Sequence, residues 1–183
     1  MNTTEIWDNN AWHDHISLPR KLSGHCLLKI NSTHVFLAGG EFHSGEFSAD
    51  AYLYSEEAGF VKQEDMMWSR GRVSCVLIEE GQVMVASTSS SWKIIQTQIF
   101  NLSTLGWSLG PNLPTKRESK MFSIDGKIFL IGLGDNKKIW QLERLELSTM
   151  SAWKWVEKGE LKDERSDFDI VPITREYCAG NEN

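Results

Sequence analysis

The chain has 183 residues, 40% hydrophobic and 24% charged, with a formal net charge of -6, enough for one globular unit with a sizeable core. The acidic balance argues against non-specific nucleic-acid binding, and no segment reaches the ~20 unbroken apolar residues of a membrane helix. The polar start Met1-Asn2-Thr3-Thr4-Glu5 is not a secretory signal, and eight tryptophans against four prolines are the oddity of the composition.

After an extension over 1–10, the first apolar run predicts a lone strand at about 11–17, carrying Trp12. Strands follow at about 23–30, 34–39, 49–55 and 60–65, then at about 72–78, 82–87, 94–101 and 106–110. A third set falls at about 118–124, 127–132, 139–147 and 152–158. A second lone strand at about 165–173 and a tail over 174–183 complete the chain. The runs are short, rich in Val, Ile and Phe, and separated by Gly, Ser, Asn and Asp. No sustained 3.6-residue stripe with caps is present, which disfavours a helical repeat.

Three markers recur at one period. Leu37, Val85 and Leu130 centre equivalent apolar runs, while Trp12, Phe60, Trp107 and Trp153 form a second series. The pairs Leu18-Pro19, Met66-Met67, Leu113-Pro114 and Leu161-Lys162 form a third. Four antiparallel strands per period of about 45–50 residues make the blade of a β-propeller.

Within each unit, Gly39-Gly40 closes the second strand of the first blade, and Tyr54-Ser55, Phe100-Asn101 and Leu147-Ser148 precede the Phe60, Trp107 and Trp153 positions. Arg70, Arg117 and Arg165 each stand three residues beyond a Leu-Pro-like pair. In these features the chain resembles the kelch repeat, over about residues 11–173. It departs from that pattern at Ser87-Thr88 and Gly132-Leu133, where the double glycine is lost, and at Arg20-Lys21, directly after Pro19. A WD-type propeller is disfavoured, because the lone Trp-Asp pair, Trp7-Asp8, falls outside the array. The expected fold is all-β, a partial propeller of about three complete four-stranded blades (23–65, 72–110 and 118–158) plus one flanking strand at each end. Known propellers have roughly four to eight blades, so the length reads as a portion of a propeller. A ring completed between two chains is the alternative, and unclosed blade edges offer a route to self-association.

Loops from the second to the third strand, and from one blade to the next, share one face of such a disc. That face gathers Arg20, Lys21, Arg70, Arg72, Lys116, Arg117 and Arg165, with Phe47 and Trp92 as aromatic neighbours. Arginine forks bind carboxylates bidentately, so the expected partner is a protein offering an acidic peptide segment. The competing role for Arg70, Arg117 and Arg165 is to tie blades together through carboxylates such as Asp65, Glu118 and Glu164. Phe60, Trp107 and Trp153 are expected in the core, and Phe47 and Trp92 as anchors or as loop cover.

The kelch resemblance implies a non-catalytic interaction module, such as the substrate-recognition end of a ubiquitin-ligase adaptor, although no BTB or BACK region stands in this sequence. Actin binding is a weaker implication, and a carbohydrate-active or galactose-oxidase-like enzyme is the competing class. No catalytic residue, cofactor or metal site is assigned, since all five histidines fall in the first quarter and His13 and His15 lack further ligands. Cys26 and Cys75 sit in apolar runs and are expected as buried free thiols, which suits a reducing, cytoplasmic setting. Three N-x-[ST] sequons, at Asn2, Asn31 and Asn101, stand without an assigned role.

Overall fold

The computed structural model of the chain describes residues 2–79, 81–86, 96–115, 119–132, 137–147 and 150–164. Among these residues every regular element is a strand, and no helix is long and apolar enough to cross a membrane. A short pair comes first: β1 (Thr4–Trp7) with β2 (Trp12–His15). Three four-stranded antiparallel sheets follow. They are β3 (Cys26–Lys29), β4 (Val35–Ala38), β5 (Ala51–Ser55) and β6 (Gly59–Lys62); then β7 (Ser74–Glu79), β8 (Gln82–Ala86), β9 (Gln96–Asn101) and β10 (Gly106–Asn112). The third holds β11 (Ser119–Ile124), β12 (Lys127–Gly132), β13 (Lys138–Leu147) and β14 (Met150–Glu160). Each sheet keeps its strands in sequence order, and first strands of successive sheets pack side by side, β3 on β7 and β7 on β11. These are the three complete blades of a partial propeller.

The strand period explains the stacking. Side chains alternate across a strand, and on β4 Phe36 and Ala38 face the second blade while Leu37 faces the β2–β3 connection. On β8, Val83 and Val85 meet the first blade, and Met84 and Ala86 meet the third. A strand buried on both faces reads as a continuous apolar run rather than an alternating one. The Leu-Pro-like pairs supply the plugs: Leu18, Met66 and Leu113 are all buried, each in a different one of the three interfaces. The aromatic series sits on the outer strands. Trp107 packs on Phe100 at 5.0 Å and reaches Phe36 of the preceding blade at 6.2 Å, and its indole donates to the Glu64 carbonyl at 2.8 Å.

The structure corrects two expectations. The strand at 11–17 is not alone, because β2 pairs with β1 through an Asp8-capped turn in which Asp8 accepts from the Asn10 and Ala11 amides. Thr4–Trp7 escapes a reading based on apolar alternation because it carries no buried face. Trp12, in phase with Phe60, is 65% exposed and packs on Trp7 at 5.6 Å. The second lone strand, 165–173, lies outside the described residues.

The second correction concerns the cysteines. Cys26 and Cys75 form a disulfide rather than two free thiols, with Cα atoms 5.9 Å apart, inside the usual span for such a bond. Their sequence separation of 49 residues is close to one repeat. That spacing lays them on the adjacent first strands of neighbouring blades, a proximity that two separate apolar runs do not reveal. Reduction, or the double change Cys26→Ser with Cys75→Ser, is expected to lower unfolding free energy by about 2–4 kcal/mol, read from urea midpoints with and without reductant. Identical midpoints would show that the bond contributes nothing.

Candidate functional site

The loop face is built on the end of the first blade. Gly39 and Gly40 both take positive φ, 63° and 110°, where a side chain is strained. A Cβ on Gly39 would also lie 2.8 Å from the Arg70 carbonyl. This approach lets the Gly40 amide donate to that carbonyl at 2.8 Å while the Arg70 amide donates to the Ser48 carbonyl at 2.9 Å. Beyond the glycines, Glu41 and Ser23 exchange backbone hydrogen bonds of 2.8 and 3.0 Å. The Phe42 amide then donates to Glu46 and the Gly45 amide to Phe42, closing a small hairpin that stands out from the blade. Beside it lies an open cleft of about 500 Å³ lined by Lys21, Leu22, Ser23, Glu41 and His43. Arg20 covers the Phe42 ring at 5.5 Å and sits 3.8 Å from the Asp50 carboxylate.

The predicted residues separate into distinct roles. Arg20 and Arg72 are exposed on this face, and Arg72 adopts φ 47° where Gly24 comes close to its backbone. Phe47 is half-buried with its ring against Gly71, so it covers the loop base. Arg70 is completely buried and does not belong to the solvent face. Its guanidinium donates to the Gln96 carbonyl at the start of β9, joining the first blade to the second. Burial pushes its pKa down to about 10, still well above neutrality, so at pH 7 the cation depends on such acceptors. Lys116, Arg117, Arg165 and Trp92 lie outside the described residues. The mouth is therefore mixed in charge: Arg20, Lys21 and Arg72 share it with Glu41 and Glu46.

Sequence reasoning passed over the pair beneath this face. Asp50 is 8% exposed and ion-paired with Lys62, which also bridges to Asp65 and lies 5.2 Å from the centre of the Tyr52 ring. Burial alone would raise the Asp50 pKa, but the hydrogen bond and charge of Lys62, with Ser48 and Arg20, hold it below the ordinary 3.8. The only available signal was an aspartate placed just before an apolar strand. His25, packed against Gly40, is held below the usual histidine range by burial, against a bond to the Leu22 backbone that works the other way.

No family model matches this chain, and no curated protein matches it. Among solved structures it is similar in fold to a novel fungal alcohol oxidase with catalytic diversity among the AA5 family, in complex with copper. The TM-score is 0.51 at 15% identity, over 62% of this chain. The match spans 27% of the oxidase chain, so the likeness concerns blades and extends to no activity.

Arg70→Ala is expected to cost about 3 kcal/mol, because it takes the donor from the Gln96 carbonyl and leaves a cavity where a fully buried side chain stood. Arg70→Lys should recover only part of the loss, since an ammonium cannot reproduce the planar fork. Arg72→Ala should stay within about 0.5 kcal/mol. Chemical denaturation ranks the three, and an Arg70→Ala value near that of Arg72→Ala would refute the interior tie. For Asp50, a lowered folded pKa means stability present above the unfolded value and lost as pH falls through the folded one. The stability gap between the native chain and Lys62→Met should therefore narrow as pH drops below about 4. A gap that stays constant from neutral to acid pH contradicts the pairing.

Proposed function

We propose that this chain is a kelch-type propeller portion that binds a partner protein through its loop face, with an acidic peptide segment seated at Arg20, Lys21 and Arg72. The observation that carries the reading is the hairpin of Glu41 to Phe47. It is pinned by reciprocal backbone bonds to Ser23 and walls an open cleft lined by Lys21, with Arg20 beside it over the Phe42 ring. A preformed, solvent-open loop surface on a rigid sheet scaffold is where interaction modules place recognition. The buried Arg70 supports the loops from below and is not a contact. The Cys26–Cys75 bond argues against the cytosolic ubiquitin-ligase and actin settings, where structural disulfides are rare.

The fold neighbour supports a second reading, in which the blades are part of an alcohol- or carbohydrate-oxidising enzyme. The donors described here do not fit a copper centre. Among the described residues no group of three His, Cys, Asp or Glu comes close enough to hold a metal. His13 bonds Asp8 at 2.8 Å and His15 bonds the Tyr54 hydroxyl. Burial, then the Glu56 charge, pushes the Tyr54 phenol up, which keeps it protonated rather than a phenolate donor.

Titration with a fluorescent glutamate-rich peptide separates the readings. Binding should weaken with rising salt and fall about tenfold or more in an Arg20→Glu, Lys21→Glu, Arg72→Glu variant whose melting is unchanged. Undiminished binding in that variant removes the loop-face proposal. Copper uptake with turnover of simple alcohols or sugars would establish the oxidase instead.

A further inference from the structure

On the opposite face, the turn joining β3 to β4 carries the sequon Asn31-Ser32-Thr33. It forms the rim of a second cleft of about 520 Å³ with Ile6, Tyr54 and Glu56. Neither the loop face nor the blade interfaces use it. We propose that Asn31 is an N-glycosylation site of this protein.

Two independent observations meet here. The first is covalent: a chain whose Cys26 and Cys75 are bonded matured where thiols are oxidised, which is also where asparagine-linked sugars are attached to N-x-[ST] sequons. The second is local geometry, and it distinguishes the three sequons. At Asn31 the side-chain carbonyl accepts from the Thr33 amide at 2.9 Å, the Thr33 hydroxyl at 3.0 Å and the His34 amide at 2.8 Å. All three bonds fall on Oδ1, and the residue is exposed, so the amide nitrogen is presented to solvent. The Thr33 hydroxyl lies 2.8 Å from His34 Nδ1 and, when it donates to its own asparagine, polarises the amide that must react.

The other two sequons differ: the Asn2 amide nitrogen is itself bonded, and Asn101 makes the same amide turn as Asn31 but is half-buried. The Asn2 amide nitrogen donates to the Leu18 carbonyl at 3.0 Å, and its Thr4 hydroxyl is spent on the Ile16 carbonyl at 2.6 Å. Asn101 is half-buried, and its Oδ1 accepts from the Ser103 and Thr104 amides, at 2.8 and 3.0 Å.

The reaction is a glycosyl transfer from a lipid-pyrophosphate-linked oligosaccharide, catalysed by a membrane transferase. Asn31 Nδ2 attacks the anomeric carbon and a carbon–nitrogen bond forms. The bond from that carbon to the pyrophosphate oxygen breaks, and the lipid pyrophosphate leaves with the electron pair. One Nδ2 proton passes to a base, and nothing is oxidised or reduced.

The test is to produce the full chain behind a cleavable secretory leader in a eukaryotic host and to map glycopeptides by mass spectrometry before and after peptide N-glycosidase. Cell-retained and secreted fractions are scored together. Asn31 should carry the glycan. Thr33→Ser should keep it at reduced occupancy, and Thr33→Val, which leaves the turn asparagine in place, should lose it, as should Asn31→Gln. Asn2→Gln should leave the Asn31 glycan unaffected. A chain unmodified at Asn31, or one glycosylated only at Asn2 or Asn101, overturns the proposal.

Discussion

Burial on both faces of each second strand is the constraint from which the rest of the architecture follows. β4, β8 and β12 carry apolar side chains in both directions, and a single sheet can cover neither side by itself. Each blade must therefore meet another, and the stability of the array lies in nearest-neighbour interfaces. The buried plugs Leu18, Met66 and Leu113 recur because each interface needs its top filled at the same height. A one-residue slip in any of these strands would exchange Phe36 for Leu37, or Val83 for Met84, and turn each toward the wrong neighbour.

Polar groups at those interfaces set direction and register. Hydrophobic contact alone would tolerate sliding of one blade on the next. The Arg70 fork on the Gln96 carbonyl, and the Gln98 side-chain Oε1 accepting from the Met67 amide at 2.7 Å, fix where the second blade begins relative to the first. The Asp50–Lys62 pair does the same within the first blade, tying the start of β5 to the end of β6. Specificity of this kind comes from partners that lose much when separated, because one member of each pair, Arg70, Gln98 or Asp50, is buried.

The strands were legible because period-two runs broken by Gly, Asn and Asp have few other solutions. Leu37, Val85 and Leu130 mark equivalent strands in the structure as they do in the sequence. What escaped was whatever depends on contacts a full repeat apart. The repeat arginine leaves two roles open in the sequence, loop-face cation or blade tie through a carboxylate, and Arg70 ties blades through the Gln96 carbonyl instead. The Cys26–Cys75 bond needs the blade-to-blade stacking before the two residues are neighbours. β1 was invisible for a different reason: a strand with no buried side leaves no hydrophobic pattern. The basic mouth was legible as a count of cations, but its acidic partners Glu41 and Asp50 take their places only once the loop folds back.

The disulfide has a topological consequence. Cys26 opens the first strand of the first blade and Cys75 lies in the first strand of the second, so β4, β5, β6 and the projecting hairpin of Glu41 to Phe47 all lie inside one covalent loop. A protease that nicks that hairpin cuts a ring rather than a line. The two halves of the blade stay tethered through sulfur, and the severed ends remain close enough to re-pair across the sheet. The element most open to attack is thus the one whose cleavage releases no fragment, and a molecule cut there keeps its mass until it meets a reductant.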